Sequence, residues 1–212
     1  MYRRAMGAAL FVVCVLLGVV ALFYFSIRSG GKLIAARDAK LVAIATSHGL
    51  TVKPSSGALQ FAAEGTAVGT PLRLAVESVS TRRHGSREML RVVARAMAPR
   101  PAISVHRRAD TERTESGPTF HEVSTGDDDF DRLFITSVED DAAALDFLST
   151  VRAELLPFEG ASLSGVESFK VGSEVALIVD CTHPRFFEQD WLEKAVGLVL
   201  RLASNTSSYR AA

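Results

Sequence analysis

An uncharged, strongly apolar run from Ala5 to Ile27 constrains the chain more than any other feature. As an α-helix, its 23 residues would be about 34 Å long, enough to cross a hydrocarbon core of about 30 Å. Its thirteen Leu, Ile, Val and Phe side chains contribute about −4 to −8 kcal/mol to insertion, and no charge opposes them. The run therefore predicts a transmembrane helix over 5–27, preceded by a tail over 1–4.

Two other interpretations of this run fit less well. A secretory signal has a shorter apolar core that ends at a small-x-small site, and the exit Phe25-Ser26-Ile27-Arg28 offers none. A buried core helix would carry a polar face, which this run lacks. More positive charges follow the run than precede it: Arg28, Lys32, Arg37 and Lys40 against Arg3 and Arg4. Because positive flanks tend to stay inside, this count favours a cytoplasmic domain and leaves the extracytoplasmic side open.

Composition limits the class of protein. The formal net charge is +0, which argues against a nucleic-acid binder. Five Lys against nineteen Arg hint at a GC-rich bacterial genome, so the predicted location is the inner membrane of a bacterium, in contact with membrane lipid. The two cysteines, Cys14 and Cys181, lie in different parts of the chain and predict no disulfide. No motif calls for a cofactor.

The first part of the remaining chain predicts a helix followed by a meander. Residues 28–57 are expected to form a juxtamembrane helix and a loop, with Gly49 as the helix C-cap. Four short strands separated by turn residues then predict an antiparallel β-meander, over 58–64, 72–80, 88–98 and 102–108. Arg87, just before the third, and Arg91 and Arg95 within it would share one face of a helix or of a strand. A strand is favoured because its opposite face, with Leu90 and Val92, is apolar.

The second part predicts a β-α-β-β-α order. A strand over 133–138 precedes a helix over 140–156, two strands over 162–171 and 174–181 turn at Gly172-Ser173, and an amphipathic helix runs through Trp191 and Leu202. The expected fold class is α+β: a transmembrane helix, then one domain over 58–204 with a meander and this second portion. Residues 205–212 are expected to be a disordered tail.

A resemblance rests on one stretch of the second part. The residues Gly126, Asp127, Phe130, Asp131 and Phe134 form a Gly-Asp-x-x-Phe-Asp-x-x-Phe pattern before a short strand and a helix. This pattern resembles a family of uncharacterised bacterial single-pass membrane-anchored proteins, a domain of unknown function. The resemblance implies an architecture and a membrane location but no chemistry.

The acidic residues of the same stretch have two possible interpretations. Asp127, Asp129 and Asp131 are candidate oxygen ligands for a hard cation such as calcium. An EF-hand does not fit, because Arg132 stands where that loop needs Gly and Val138 where it needs Glu. The favoured interpretation is that Asp127 and Asp131 cap turns while Phe130 and Phe134 pack in the core.

Other candidate sites are few. Cys181 and His183 are a possible nucleophile and base, or two metal ligands, of a hydrolase or metal enzyme. The arginine-rich segment 82–108 is a candidate surface for anionic lipid headgroups, with the contact candidates Arg82, Arg83, Arg87, Arg107 and Arg108. The favoured function is a membrane-anchored, non-catalytic domain that binds an unidentified membrane protein partner or assembles at the membrane. A lipid-sensing domain and a membrane-bound enzyme are the alternatives.

Overall fold

The computed structural model describes residues 34–54, 59–81, 85–98, 101–108, 120–140, 148–149, 151–152, 155, 166–181 and 188–204. The chain divides into two units, Met1–Leu41 and Val42–Ala212. In the first unit, the described residues 34–41 are helical, and the Arg37 guanidinium pairs with the neighbouring Asp38 carboxylate at 2.9 Å. The second unit contains every strand of the described chain.

Within the part of the chain that the structure describes, helices and strands follow one another in a mixed order. Helix α1 covers residues 34–47, and the described residues 148–149, 151–152 and 155 are helical and are labelled α3. The remaining elements are β1 Thr51–Lys53, β2 Leu59–Ala67, β3 Thr70–Thr81, β4 Gly85–Arg95, β5 Ile103–Arg107, β6 His121–Val123, α2 Asp128–Leu133, β7 Phe134–Val138, β8 Val166–Val171, β9 Glu174–Asp180 and α4 Gln189–Ser204.

All nine described strands belong to one sheet, in the order β1-β2-β3-β4-β9-β8-β5-β7-β6. Every neighbouring pair is antiparallel. In the centre, Leu90 of β4 stands opposite Val179 of β9, and Val92 stands opposite Leu177. Because side chains alternate between faces, this register puts these four residues on the same face of the sheet.

Helix α4 packs against that face at β3, β4 and β9. We call it the helix face, and its side chains in these three strands are almost completely buried: Leu72, Leu74, Val76, Leu90, Val92, Ala94, Val175, Leu177 and Val179. The helix contributes a matching apolar stripe at helical spacing, with Trp191, Ala195, Leu198, Val199 and Leu202 buried. The second unit is thus held together by sheet-to-helix packing.

The predicted meander is partly wrong. Strands β2, β3 and β4 do pair in sequence order, but β4 then pairs with β9, and β5 lies between β8 and β7. The expected α+β arrangement of a meander plus a separate β-α-β-β-α portion is therefore replaced by one large antiparallel sheet with few helices. Strand β9 presents the apolar alternation of Val175, Leu177 and Val179 to β4, and β5 joins β8 to β7.

The predicted membrane helix and single-pass location are corrected as well. No helix among the described residues is both long enough and apolar enough to cross a membrane. Helix α4 has 16 residues and carries charged side chains at Asp190, Glu193, Lys194 and Arg201. The run Ala5–Ile27, the tail over 1–4 and the tail over 205–212 lie outside the described residues.

Two local predictions are confirmed. The strand predicted over 88–98 is present as β4, Gly85–Arg95, which begins and ends three residues earlier, with Leu90 and Val92 buried on the face opposite Arg91. Helix α1 ends where Gly49 adopts the left-handed conformation, with φ of 71°, and the Leu50 amide donates to the Ala45 carbonyl at 2.7 Å. Glycine suits this position because a Cβ would strain it.

Gly65 on β2 lies against the end of α1, so Gly65→Ala is expected to destabilise the fold. An added Cβ would stand 3.2 Å from the Gly49 carbonyl oxygen and 3.2 Å from the Leu50 Cα. These are backbone atoms, which move little to make room. We expect the free energy of unfolding to fall by about 1–2 kcal/mol, including the gain from the lower entropy of Ala in the unfolded chain. A thermal melt should show a Tm lower by about 2–8 °C.

The matched control for this change is Gly172→Ala in the turn between β8 and β9. A Cβ there meets no atom within 4 Å, so its effect should stay within about 0.5 kcal/mol. Equal melting temperatures for the two variants would contradict the close packing of Gly65.

Candidate functional site

The face of the sheet opposite α4 carries a cluster of charged side chains on β1 to β4 and β9. We call this cluster the charged face: Lys53, Glu64, Arg73, Glu77, Arg91, Arg95 and Glu174. Its members alternate along their strands with the buried residues of the helix face; for example, Arg91 and Arg95 flank Val92 and Ala94. The two-residue period of a strand thus divides β4 into an apolar side and a cationic side.

Ion pairs cross from strand to strand on this surface. The Glu64 carboxylate accepts a hydrogen bond from the Lys53 ammonium and lies 3.4 Å from the Arg73 Nε. Farther along β3, Glu77 lies 3.0 Å from the Arg91 Nε on β4. The Lys53 hydrogen bond, helped by the charges of Lys53 and Arg73, holds the pKa of Glu64 below its usual range despite slight desolvation.

The charged face is concave and accessible. It encloses about 710 Å³, and small or apolar residues such as Ala75 and Val93 form its floor between the charged groups. The side chains of Lys53, Arg73 and Arg91 are 52%, 47% and 44% exposed, so their charged ends are available to another molecule. This arrangement can accept hydrogen-bonding and charged groups from a ligand.

A second polar cluster is the acidic turn, residues 124–131, which leads into α2. Asp127 is the N-cap of α2: its carboxylate accepts from the amides of Asp129 at 3.1 Å and Phe130 at 3.0 Å. Gly126 before it has φ of 78°, a conformation that favours glycine. Phe130 and Phe134 are both 2% exposed, with ring centroids 5.1 Å apart. The turn thus anchors α2 on the core.

Asp131 closes the acidic turn from its other end. Its carboxylate accepts from the Ser124 hydroxyl at 2.7 Å and from the amide and hydroxyl of Thr125, at 3.0 and 2.8 Å. Partial burial raises the pKa of Asp131, but these hydrogen bonds lower it by more, so the carboxyl titrates below its usual range. Its backbone carbonyl accepts from the Arg108 guanidinium at 3.0 Å.

The three candidate metal ligands of this stretch do different things. Asp127 and Asp131 bind backbone and hydroxyl groups of the turn, while Asp129, 84% exposed, pairs with Arg132 at 3.0 Å. Across the described residues, no group of three or more His, Cys, Asp or Glu side chains is placed to hold a metal ion.

The arginines predicted to contact a membrane surface are dispersed. Arg87 on β4 lies 3.7 Å from the Asp180 carboxylate, whereas Arg107 is the last residue of β5 and Arg108 follows it. Strands β9 and β8 lie between β4 and β5 in the sheet. Arg108 binds the acidic turn and, at 3.3 Å, Glu122. Arg82 and Arg83 lie outside the described residues, and the lipid-contact role of this segment stays a prediction.

Of the two candidate residues Cys181 and His183, the structure describes only Cys181. The Cys181 thiol is buried, with 6% of the residue exposed, and its backbone amide donates to the Glu88 carbonyl at 2.9 Å. His183 lies outside the described residues, so the pair stays untested.

The charged face was not predicted as a site from the sequence. The pattern of β4 indicates its cationic side, but the prediction did not include Arg73 and Glu77, which lie on the same side of β3. The signal was present, since both residues alternate with the apolar Leu72, Leu74 and Val76. Extending the two-residue period across neighbouring strands would have brought these charges together.

The fold and the site define a class: a mainly β domain built on a large antiparallel sheet, with one face packed by a helix and the other carrying a charged, concave surface. No protein-family model matches the chain, and no curated protein matches it in sequence. Among solved structures, the chain is similar to the crystal structure of the mycobacterial trehalose monomycolate transport factor A, TtfA, with a TM-score of 0.51 and 9% identity. The similarity covers 80% of this chain and 91% of that one, and it concerns the fold alone.

Proposed function

We propose that this protein is a non-catalytic accessory factor in an assembly or transport process, and that it binds a partner protein through the charged face. The observation that carries the proposal is the ladder of cross-strand ion pairs that joins Lys53, Glu64 and Arg73 and, beside it, Glu77 and Arg91. The shared fold with a protein named as a transport factor agrees with such a role.

The ladder has little value for stability alone. Ion pairs between exposed side chains contribute about 0–1 kcal/mol each, because water screens the charges and the side chains lose entropy. Ordered charges on a concave surface do favour association, since complementary charges speed encounter and fix the orientation of a partner. A role in recognition therefore explains the charged face better than a role in folding.

The described titratable groups with shifted pKa values do not favour catalysis. Glu64 and Asp131 are both held as carboxylates by hydrogen-bond donors. A general acid that works near neutral pH needs a raised pKa, so neither group suits that task. Cys181 is buried, whereas a reactive thiol needs access to its substrate. These features support a binding role.

Site-specific photo-crosslinking in the native host tests this proposal. Thr66 is exposed at the rim of the charged face, and Lys194 is exposed on α4 on the other side of the sheet. With a photo-reactive amino acid at position 66 of the full chain, we expect a discrete adduct to one protein. The same residue at position 194 should give no such adduct.

A charge reversal links the adduct to the surface. The double variant Arg73→Glu and Arg95→Glu should abolish the adduct from position 66, whereas Lys194→Glu should leave it intact. The absence of an adduct at 66, or the same adduct from both positions, would overturn the proposed function.

A further inference from the structure

Three arginines form a triangle within the charged face. Arg73 on β3 stands opposite Val93 on β4, and Arg91 and Arg95 lie two residues before and after Val93 on the same side of the sheet. Diagonal neighbours of this kind are about 7–8 Å apart at their Cα atoms, within reach of long side chains. We call Arg73, Arg91 and Arg95 the arginine triangle.

The positive charge of the triangle is only partly balanced. Arg73 shares the Glu64 carboxylate with Lys53, and Arg91 pairs with Glu77. Arg95 is exposed and makes no ion pair with any residue that the structure describes, although Glu174 stands opposite it on β9. Like charges at neighbouring sheet positions repel, so an added anion between the three arginines would relieve this repulsion.

We propose that the arginine triangle binds the carboxylates of an acidic, extended segment of the partner protein. This inference rests on the proposed function and names the chemistry of the partner. Arginine suits the task because its planar guanidinium donates two parallel hydrogen bonds to one carboxylate. The partner segment supplies the negative charges that the triangle lacks.

The spacing of the arginines selects an extended segment with alternating acids. Arg91 and Arg95 are four residues apart along β4, about 13 Å at 3.3 Å per residue. A single small anion does not span that length. In an extended peptide, side chains on one side recur about every 6.6 Å, so acids at the first, third and fifth of five residues match the triangle. Glu64, Glu77 and Glu174 border the triangle and disfavour acids placed beyond it.

A fluorescent peptide, Gly-Glu-Ser-Glu-Ser-Glu-Gly, probes the triangle directly. We expect saturable binding to the full chain by fluorescence anisotropy, with affinity that falls as salt is raised. The same peptide with Gln in place of Glu should not saturate. The triple variant Arg73→Gln, Arg91→Gln and Arg95→Gln should bind the Glu peptide about tenfold more weakly or worse.

A single variant protects the test against misfolding. Arg95→Gln removes an exposed side chain without an ion pair to a described residue, and it should still weaken the Glu peptide about threefold to tenfold. Lys194→Gln on α4 is the control of equal charge change and should bind like the natural protein. Equal binding of the Gln and Glu peptides, no binding of either, or an unchanged affinity of Arg95→Gln would overturn the inference.

The two proposals fail separately. If the crosslink from position 66 forms and depends on Arg73 and Arg95, but the Glu peptide does not bind, the acidic-segment inference falls and the partner-binding function stands. If the crosslink does not form, the proposed function itself falls.

Discussion

Replacing Leu198 by Ala is expected to lower the free energy of unfolding by about 2–5 kcal/mol. Leu198 is completely buried on the side of α4 that packs against β3, β4 and β9. The change removes apolar contacts and leaves a cavity, because a sheet with paired strands on both sides collapses little around the lost volume. Urea unfolding followed by circular dichroism should show a lower midpoint with an unchanged slope.

Lys194→Ala is the matched control on the same helix. Lys194 is exposed, and its replacement by a good helix former should change the free energy of unfolding by no more than about 0.5 kcal/mol. If Leu198→Ala lowers the free energy of unfolding by less than about 1 kcal/mol, the packing of α4 on the helix face is contradicted.

This helix was among the elements that the sequence predicts well. Trp191, Leu198 and Leu202 recur at helical spacing, and all three are buried as that spacing requires. The strand predicted over 88–98 and found at Gly85–Arg95 was equally predictable, because its arginines lie on one face while Leu90, Val92 and Ala94 lie on the other. Both predictions depend only on neighbours along the chain, which is where periodicity carries information.

Periodicity along the chain does not predict which strands pair with each other. The alternation of Leu90 and Val92 suits any partner with an apolar face, and nothing local distinguishes Val179 of β9 from a residue of β5. The three-residue strands β1 and β6 are too short to show alternation, and Pro54 and Gly57 made the β1 region look like a loop. Sheet order is set by the whole set of competing pairings.

The candidate site also depends on strand pairing, which brings together residues that are distant in the chain. Glu77 and Arg91 meet because the β3–β4 register places them on adjacent strands, although fourteen positions separate them in the chain. Arg73 joins Arg91 and Arg95 for the same reason. By contrast, the caps of the acidic turn are local: the carboxylates of Asp127 and Asp131 accept hydrogen bonds from groups within seven residues, as the capping interpretation predicts.

Asp131→Asn is expected to destabilise the protein at pH 7 by about 1–2 kcal/mol, after allowance for its partial exposure. The carboxylate accepts from the Ser124 hydroxyl and from both the amide and the hydroxyl of Thr125. An Asn side chain has one acceptor oxygen instead of two and turns an amide group toward donors. Glu139→Gln, at an exposed position, should change the free energy of unfolding by less than about 0.5 kcal/mol.

The effect of Asp131→Asn should depend on pH in a defined direction. Because the pKa of Asp131 is lower in the folded protein than in the unfolded chain, the carboxylate stabilises the fold fully above the unfolded value of about 3.9. That contribution is lost as the pH falls through the lower, folded pKa. Urea unfolding at a series of pH values should therefore show the gap between natural protein and variant narrowing below about pH 4. A gap that stays constant down to pH 2 would mean that the ionised carboxylate does not hold the acidic turn, and that the shape of the side chain alone matters there.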